Sequence, residues 1–543
     1  MTDSKLKKNN LIDTACKNFT SKKIIIILAL IGITSFIIKL NYLPFDLPLT
    51  NDAAGYFWYA NDLSILGNLP SEIASSSPRV TNEFPNNGWP SFLSLFFSLL
   101  NSDNFLDYMN FQRLTSVSIS VLTIIPIYLL STRFLKKNIA ILAASLFAFS
   151  PRLIENSLMG NPEQMFLLVV FTSLYLFLSK KHSLIIISFV LVGLAALIRY
   201  EGLLIFIPYS IMFFLRFRKN NNSIRTYLIA ISISVLILLP MSLARIETTG
   251  QDGMISHIVS GPQYYGSMID THSEENMLIK FLIKGITFLM KYFFLLLIPM
   301  FIIFLPLGIM KFFKNRTYEK WTIIVFSFTL LVPAFYAYSR GFEDIKYLFY
   351  LYPILCIFTG YSFYEINKKI GKQNIVFTIL ILGIICSSMF FTNFMMTDFE
   401  HEKELYNIAI DLSEQISTVN RDYEGVKYFA WIKNNLNSFP ILSSELSDES
   451  DIKLIRIGKN SENNFDSLKE YFDFGRSQGM KHLVLDGSNL KNSKLSHIFE
   501  NENQYSFLKK IYDSKEQNYS YHVKAYEIDY ENMNLKIVNK IND

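Results

Sequence analysis

Asp52 is the residue of this chain whose type and setting most suit it to begin chemistry. It lies in Thr50-Asn51-Asp52-Ala53-Ala54-Gly55-Tyr56-Phe57-Trp58-Tyr59-Ala60, just after a long apolar run and at the head of an amphipathic segment. A carboxylate held there can deprotonate a hydroxyl or amine as a general base; it can equally cap the helix that follows. Asn161-Pro162-Glu163 opens another apolar run. An Asn cap, a Pro in the first turn and a Glu at the positive end of a helix dipole give that segment a complete structural explanation beside the catalytic one. Cations accompany these acids. Arg199 sits in Leu197-Ile198-Arg199-Tyr200-Glu201-Gly202, a tight reversal between two apolar runs, and Arg113 begins a further run. Arg340 and Lys346 share the stretch Ser339-Arg340-Gly341-Phe342-Glu343-Asp344-Ile345-Lys346-Tyr347. Each suits a lipid phosphate, and each is equally suited to snorkel toward water. They cannot all touch one phosphate, so some must be structural.

The elements that would position these groups are set by the solvent each region needs. The chain has 543 residues, is 50% hydrophobic and only 18% charged, and carries 48 Phe and 30 Tyr, more than an ordinary soluble domain holds. The apolar residues gather in long runs up to about Phe394, whereas 395–543 has the patterning of a soluble domain. This predicts a polytopic α-helical membrane protein with about eleven transmembrane helices and a C-terminal extracytoplasmic α/β domain. Residues 1–23 form a basic tail, 24–394 the membrane domain with long outer loops at 41–110 and 245–280, and 395–543 the soluble domain. The first run, Ile24 to Leu40, has no small-residue cleavage pattern after it and is read as an uncleaved helix. The others fall at Phe111–Ser131, Asn138–Ser150, Glu163–Ser179, Ser183–Ile198, Gly202–Leu215, Tyr227–Ala244, Phe281–Met310, Thr322–Tyr338, Leu348–Tyr364 and Asn374–Phe391.

Alternating sides from a cytoplasmic N-terminus places the clusters at Arg133/Lys136/Lys137, Lys180/Lys181, Arg216/Arg218/Lys219/Arg225, Lys311/Lys314/Arg316/Lys320 and Lys368/Lys369/Lys372 on the cytoplasmic side of a cell membrane. The same alternation puts Asp52, Glu163, Arg199 and Lys346 at the outer face. The net charge of +5 is thereby accounted for by short membrane loops, and no nucleic-acid partner is expected. The three cysteines, Cys16, Cys356 and Cys386, build no disulfide framework. There is no Walker loop, dinucleotide glycine pattern, paired His at helical spacing or nucleophile elbow, so the energy for any group transfer must arrive in the donor.

The order of these elements resembles the GT-C class of membrane glycosyltransferases, in particular the branch of protein O-mannosyltransferases and lipid A aminoarabinose transferases. Asp52 matches the acidic residue of that family's first outer loop, and Arg113 in Phe111-Gln112-Arg113-Leu114 its basic residue opening the second helix. The segment from Phe149-Ser150-Pro151-Arg152-Leu153-Ile154-Glu155 through Gly160-Asn161-Pro162-Glu163 is similar to its Pro-containing outer loop and following acid. Gly193-Leu194-Ala195-Ala196-Leu197-Ile198-Arg199-Tyr200-Glu201-Gly202 resembles its small-residue helix ending in Arg-x-Glu-Gly, and Lys346-Tyr347-Leu348 through Tyr352-Pro353 its late basic-Tyr element. The resemblance implies an inverting hexosyl or pentosyl transfer from a polyprenyl-phosphate sugar to a protein, lipid or glycan acceptor. It implies Asp52 as the general base and Glu163 as a second catalytic residue, Arg113, Arg199, Arg340 and Lys346 at the donor phosphate, and Glu201 and Glu83 on the acceptor side or in support. No cofactor is implied. The first loop has Asn51-Asp52 and no Asp-x-Asp, so no metal ligand set is indicated. A Trp-Trp-Asp motif is also missing, which argues against transfer of a whole oligosaccharide.

In the soluble domain, helices are expected near Glu402–Ser417, Tyr423–Leu436, Phe465–Gln478 and Tyr505–Tyr512. Strands are expected near Pro440–Ser444, Lys453–Ile457, Lys481–Asp486 and Tyr519–Ile528. A lid, an acceptor-docking module and a stabilising cap all suit this unit. A multi-span transporter or flippase is the alternative from another class, but it predicts ionisable residues at mid-membrane, where these spans are nearly free of charge. A polymerase using a lipid-diphosphate donor would share the outer site.

Overall fold

A computed structural model describes residues 20–66, 87–100, 102, 104–218, 223–253, 255–256, 277–299, 301–314, 316–370, 373–395, 399–416, 467–477, 482–487 and 495–533. Among the described residues the order starts with α1 (Ser21–Asn41), followed by α2 (Asn51–Leu66), α3 (Gly88–Phe97) and α4 (Phe105–Leu122), which continues after Thr123 as α5 (Ile124–Ser131). Then come α6 (Lys137–Ala148), α7 (Pro151–Leu158), α8 (Glu163–Phe177), α9 (His182–Ile198), a 3-10 turn at Tyr200–Ile205, α10 (Phe206–Phe217) and α11 (Ser223–Thr249). The bundle is completed by α12 (Met277–Leu297), α13 (Leu305–Phe313), α14 (Tyr318–Arg340), a 3-10 turn at Ile345–Leu351, α15 (Tyr352–Ile370) and α16 (Gln373–Met395).

Local chemistry sets these boundaries. Thr20 caps α1 by accepting from the Lys23 N–H, and Ser150 caps α7 by accepting from Leu153, with Pro151 following. Gly341 ends α14 at φ 92°, a left-handed conformation open to glycine. The expected span Phe281–Met310 is two helices, α12 and α13, separated around Pro299, whose missing N–H cannot continue the ladder.

The fold is that of a polytopic helical membrane protein. Six helical segments among the described residues are long and apolar enough to cross a bilayer, and α6 with α7, bent by 50°, would make a seventh. The remaining expected spans are shorter or interrupted. Helices α8 and α9 sit among their neighbours, with Phe166, Leu167, Phe171 and Phe189 fully buried, so protein rather than lipid surrounds much of their length. Helix α12 carries Lys280, Lys284 and Lys291. On lipid-sized faces the apolar residues point outward instead, as Ile25, Leu30 and Ile37 do on α1.

The C-terminal unit holds α17 (Phe399–Ile416), α18 (Leu468–Ser477), β1 (His482–Asp486), the short α19 (Ser496–Glu500), β2 (Leu508–Asp513) and β3 (Val523–Ile528). Its strands form an antiparallel sheet in the order β1-β3-β2. The helix expected at Tyr505–Tyr512 is in fact β2. Pairing with β3 through a register shift between Lys510 and Tyr512 buries Leu508 and Tyr512 while Lys509 and Lys510 face water, and tertiary pairing overrides the helical spacing. The expectations at 423–436, 440–444 and 453–457 lie outside the described residues, as do Cys16 and Glu83. The unit is fastened to the bundle through the loop before α2. Leu47 is buried in one cluster with Leu405, Ile408, Leu412, Tyr512 and Val523, and Lys403 meets Asp46 at 3.5 Å.

Candidate active site

Three side chains, Arg113, Gln112 and Trp89, hold the backbone at the start of α2 and at the turn before α8. The Arg113 guanidinium donates to the carbonyls of Leu47 at 2.6 Å and Pro48 at 3.0 Å, and to Asn110 Oδ1 at 3.1 Å. Gln112 Nε2 donates to the carbonyls of Ala53 at 3.1 Å and Gly160 at 2.9 Å, and the Trp89 indole also donates to Gly160. Gly160 has φ 77°, so the turn between α7 and α8 takes its shape there. Gln112 and Arg113 of α4 thus direct most of their donors to backbone beside Asp52 and Asn161.

The result is a cavity of about 510 Å³ at the end of the bundle where α1 and α14 stop. Its polar wall contains Asp52, Arg113, Arg152, Glu155, Asn156, Asn161, Asp344, Lys346 and Glu402, and its apolar wall includes Leu47, Leu49, Leu158 and Phe349. Asp52 is in the first turn of α2, and 54% of its side chain is exposed. Lys346 Nζ donates to Asp52 Oδ2 at 2.7 Å and lies 3.3 Å from Asp344, whose other oxygen caps the following turn by accepting from the Lys346 N–H. Burial by itself would lower the lysine pKa, but Asp52, Glu163 and Asp344 outweigh it and hold the group above the usual lysine value. Its positive charge therefore persists through the neutral range. Arg152 lies 3.6 Å from Glu155.

Arg199, Glu163 and Glu201 form a separate, buried ion cluster next to the cavity. One terminal nitrogen of Arg199 donates to Glu163 at 2.6 Å, the other to Glu201 at 2.8 Å, and Nε reaches Glu201 at 3.3 Å. The guanidinium lies 5.7 Å from the Tyr350 ring centroid. Buried ions persist when paired and hydrogen-bonded in this manner. The tight reversal also needs Gly202, where a Cβ would come within 2.5 Å of the Ala196 backbone nitrogen. The second oxygen of Glu163 has no hydrogen-bond partner among the described residues.

Of the residues singled out in the sequence, Asp52, Arg113 and Lys346 line the cavity, and Glu163, Arg199 and Glu201 support its edge. Arg340 does not line it; its guanidinium lies over the rings of Tyr336 and Phe342. Arg152, Glu155, Asp344 and Glu402 were not assigned a role. Arg152 and Glu155 stand in the Pro-containing segment before Asn161, and Asp344 two positions before Lys346, and that closeness in sequence is the signal that marks them. Glu402 comes from α17 and had none.

This arrangement of helices is the GT-C fold, the architecture of a class of membrane glycosyltransferases. Residues 89–243 match the sequence model of the family described as dolichyl-phosphate-mannose-protein mannosyltransferase. Among solved structures, the oligosaccharyltransferase of Archaeoglobus fulgidus in its apo form superposes with a TM-score of 0.53 at 11% identity, over 86% of this chain and 70% of that one. The same organism's AglB in complex with an inhibitory peptide and a dolichol-phosphate gives 0.51 at 11% identity, over 86% and 70%. ArnT from Cupriavidus metallidurans in the apo state gives 0.46 at 10% identity, over 93% and 97%. No curated protein matches the chain in sequence.

Proposed function

We propose that this protein is a glycosyltransferase that moves a sugar from a polyprenyl-phosphate donor to an acceptor hydroxyl carried by a protein, lipid or glycan at the outer face of the membrane. The observation that carries this reading is the half-exposed Asp52 carboxylate sharing one cavity with Lys346 and Arg152. The GT-C fold and the partial mannosyltransferase match agree with it, as does the dolichol-phosphate held by the similar AglB structure.

In this reading Asp52 takes the acceptor proton while the acceptor oxygen bonds to the anomeric carbon. The bond from that carbon to the phosphate oxygen breaks, and the lipid phosphate leaves with the electron pair on the opposite face, which inverts the configuration. Charge growing on the phosphate is met by fixed cations. Lys346 has three N–H donors, two of them directed at Asp52 and Asp344, which leaves one for a phosphate oxygen. Arg152, whose one ion pair among the described residues is the 3.6 Å contact with Glu155, supplies forked donors. Arg113 and Arg199 are committed to protein acceptors, so they hold the framework.

Lys346→Gln tests the electrostatic part. With a radiolabelled polyprenyl-phosphate sugar, kcat/KM is expected to fall by about 10- to 150-fold, the equivalent of one charged hydrogen bond worth about 1.5–3 kcal/mol. An unchanged kcat/KM would remove Lys346 from the donor site.

A further inference from the structure

At the other end of the bundle, a second cavity of about 180 Å³ lies between the last turn of α13 and the first of α14, lined by Phe312, Phe313, Arg316, Lys320, Trp321 and Ile324. Helix α14 has 23 residues, a length of about 35 Å, so this cavity and the Asp52 cavity are a bilayer apart. Its polar part is cationic. Lys320 is nearly buried; its ammonium donates to the Phe312 carbonyl and lies 4.9 Å from the Phe312 ring and 5.2 Å from the Tyr361 ring. Among the described residues, neither Lys320 nor Arg316 has a carboxylate within ion-pair distance, and the nearby Glu365 is engaged by Lys311 at 3.4 Å.

The apolar part faces outward. Phe313 is 50% exposed and Trp321 46%, and the exposed side chains continue along the two helices at Met310 and Phe328. Two cations with no carboxylate at ion-pair distance among the described residues, beside exposed aromatic and aliphatic walls, are complementary to a ligand with an anionic head and a hydrocarbon tail. A free phosphate would answer the charge and leave the walls unmatched. We propose that this cavity binds an anionic phospholipid, with its headgroup phosphate on Arg316 and Lys320 and an acyl chain along Phe313, Trp321 and Ile324. The site is independent of the sugar-transfer reading.

The test uses the full chain in neutral detergent, stripped of lipid and titrated with phosphatidylglycerol, phosphatidylcholine or inorganic phosphate while thermal unfolding is followed. Phosphatidylglycerol alone is expected to raise the midpoint. Arg316→Gln should raise the lipid concentration needed for half the effect about fivefold. Arg218→Gln, which removes an exposed cation at the same end but off the cavity, should leave it unchanged. Phosphatidylglycerol brominated on its acyl chains should also quench tryptophan emission, and Trp321→Phe should abolish most of that quenching. Equal effects of the two phospholipids, the whole effect reproduced by inorganic phosphate, or quenching that survives in Trp321→Phe would each overturn the proposal.

Discussion

Asp52→Asn is expected to reduce sugar transfer by about two to four orders of magnitude, the usual contribution of a positioned general base. The substitution keeps the size and the oxygen that accepts from Lys346, and it removes only the ability to take up a proton at neutral pH. Because 54% of the side chain is exposed, little packing is at stake, and the protein should unfold at an almost unchanged temperature. The competing explanation is capping. An acid in the first turn of α2 stabilises that helix by about 0.3–1 kcal/mol through the dipole, and a cap alone predicts a small stability change with transfer intact. Measuring both quantities on the same preparation separates the two roles.

Arg199→Met is expected to act the opposite way, through the folded state first. Glu163 and Glu201 are almost entirely buried and both are paired with this one guanidinium. Removing it leaves two carboxylates without their counter-charge, and breaking such a buried pair costs about 3–5 kcal/mol. Unfolding in detergent micelles should therefore occur at a markedly lower temperature. Replacing the acids as well, in Arg199→Met with Glu163→Gln and Glu201→Gln, should recover part of that loss, since it removes the orphaned charges. If Arg199→Met instead leaves stability intact and abolishes transfer, Arg199 contacts the donor phosphate directly and its assignment to the framework is wrong.

These contrasting roles show what could be read from the sequence and what could not. Apolar run lengths gave nearly every helix of the bundle, because each helix must cover its own backbone in lipid whatever its neighbours are. They did not reveal how runs pack, so the break between α12 and α13 was passed over despite a visible Pro299. Arg113 and Lys346 stand out in the sequence as charges that lipid does not require, whereas Arg152 does not. Which of them face a ligand was not legible, because the deciding partners are distant in the chain or carry no side-chain signature. Lys346 meets Asp52 across 294 positions, and Arg113 is occupied by backbone carbonyls that every residue possesses. Arg199 is neutralised by Glu163 36 positions away as much as by its neighbour Glu201. The strand β2 was misread for the same reason: Tyr505, Leu508, Ile511 and Tyr512 fit a helical face, and only β3 decides otherwise. Glu402 reaches the cavity because Leu47 anchors the C-terminal unit beside it, a contact no motif announces.

The proposed reaction breaks the bond between sugar and lipid phosphate in the Asp52 cavity. The direct measurement reconstitutes the purified protein in liposomes with a polyprenyl-phosphate donor radiolabelled in the sugar, adds an extracted acceptor pool, and follows both the label and the free polyprenyl phosphate. Label is expected to appear on acceptor with inverted anomeric configuration, in step with release of one polyprenyl phosphate per sugar, and Asp52→Asn is expected to stop both. Donor that crosses the bilayer with its sugar still attached, and no release of free lipid phosphate, would contradict it and identify a transporter.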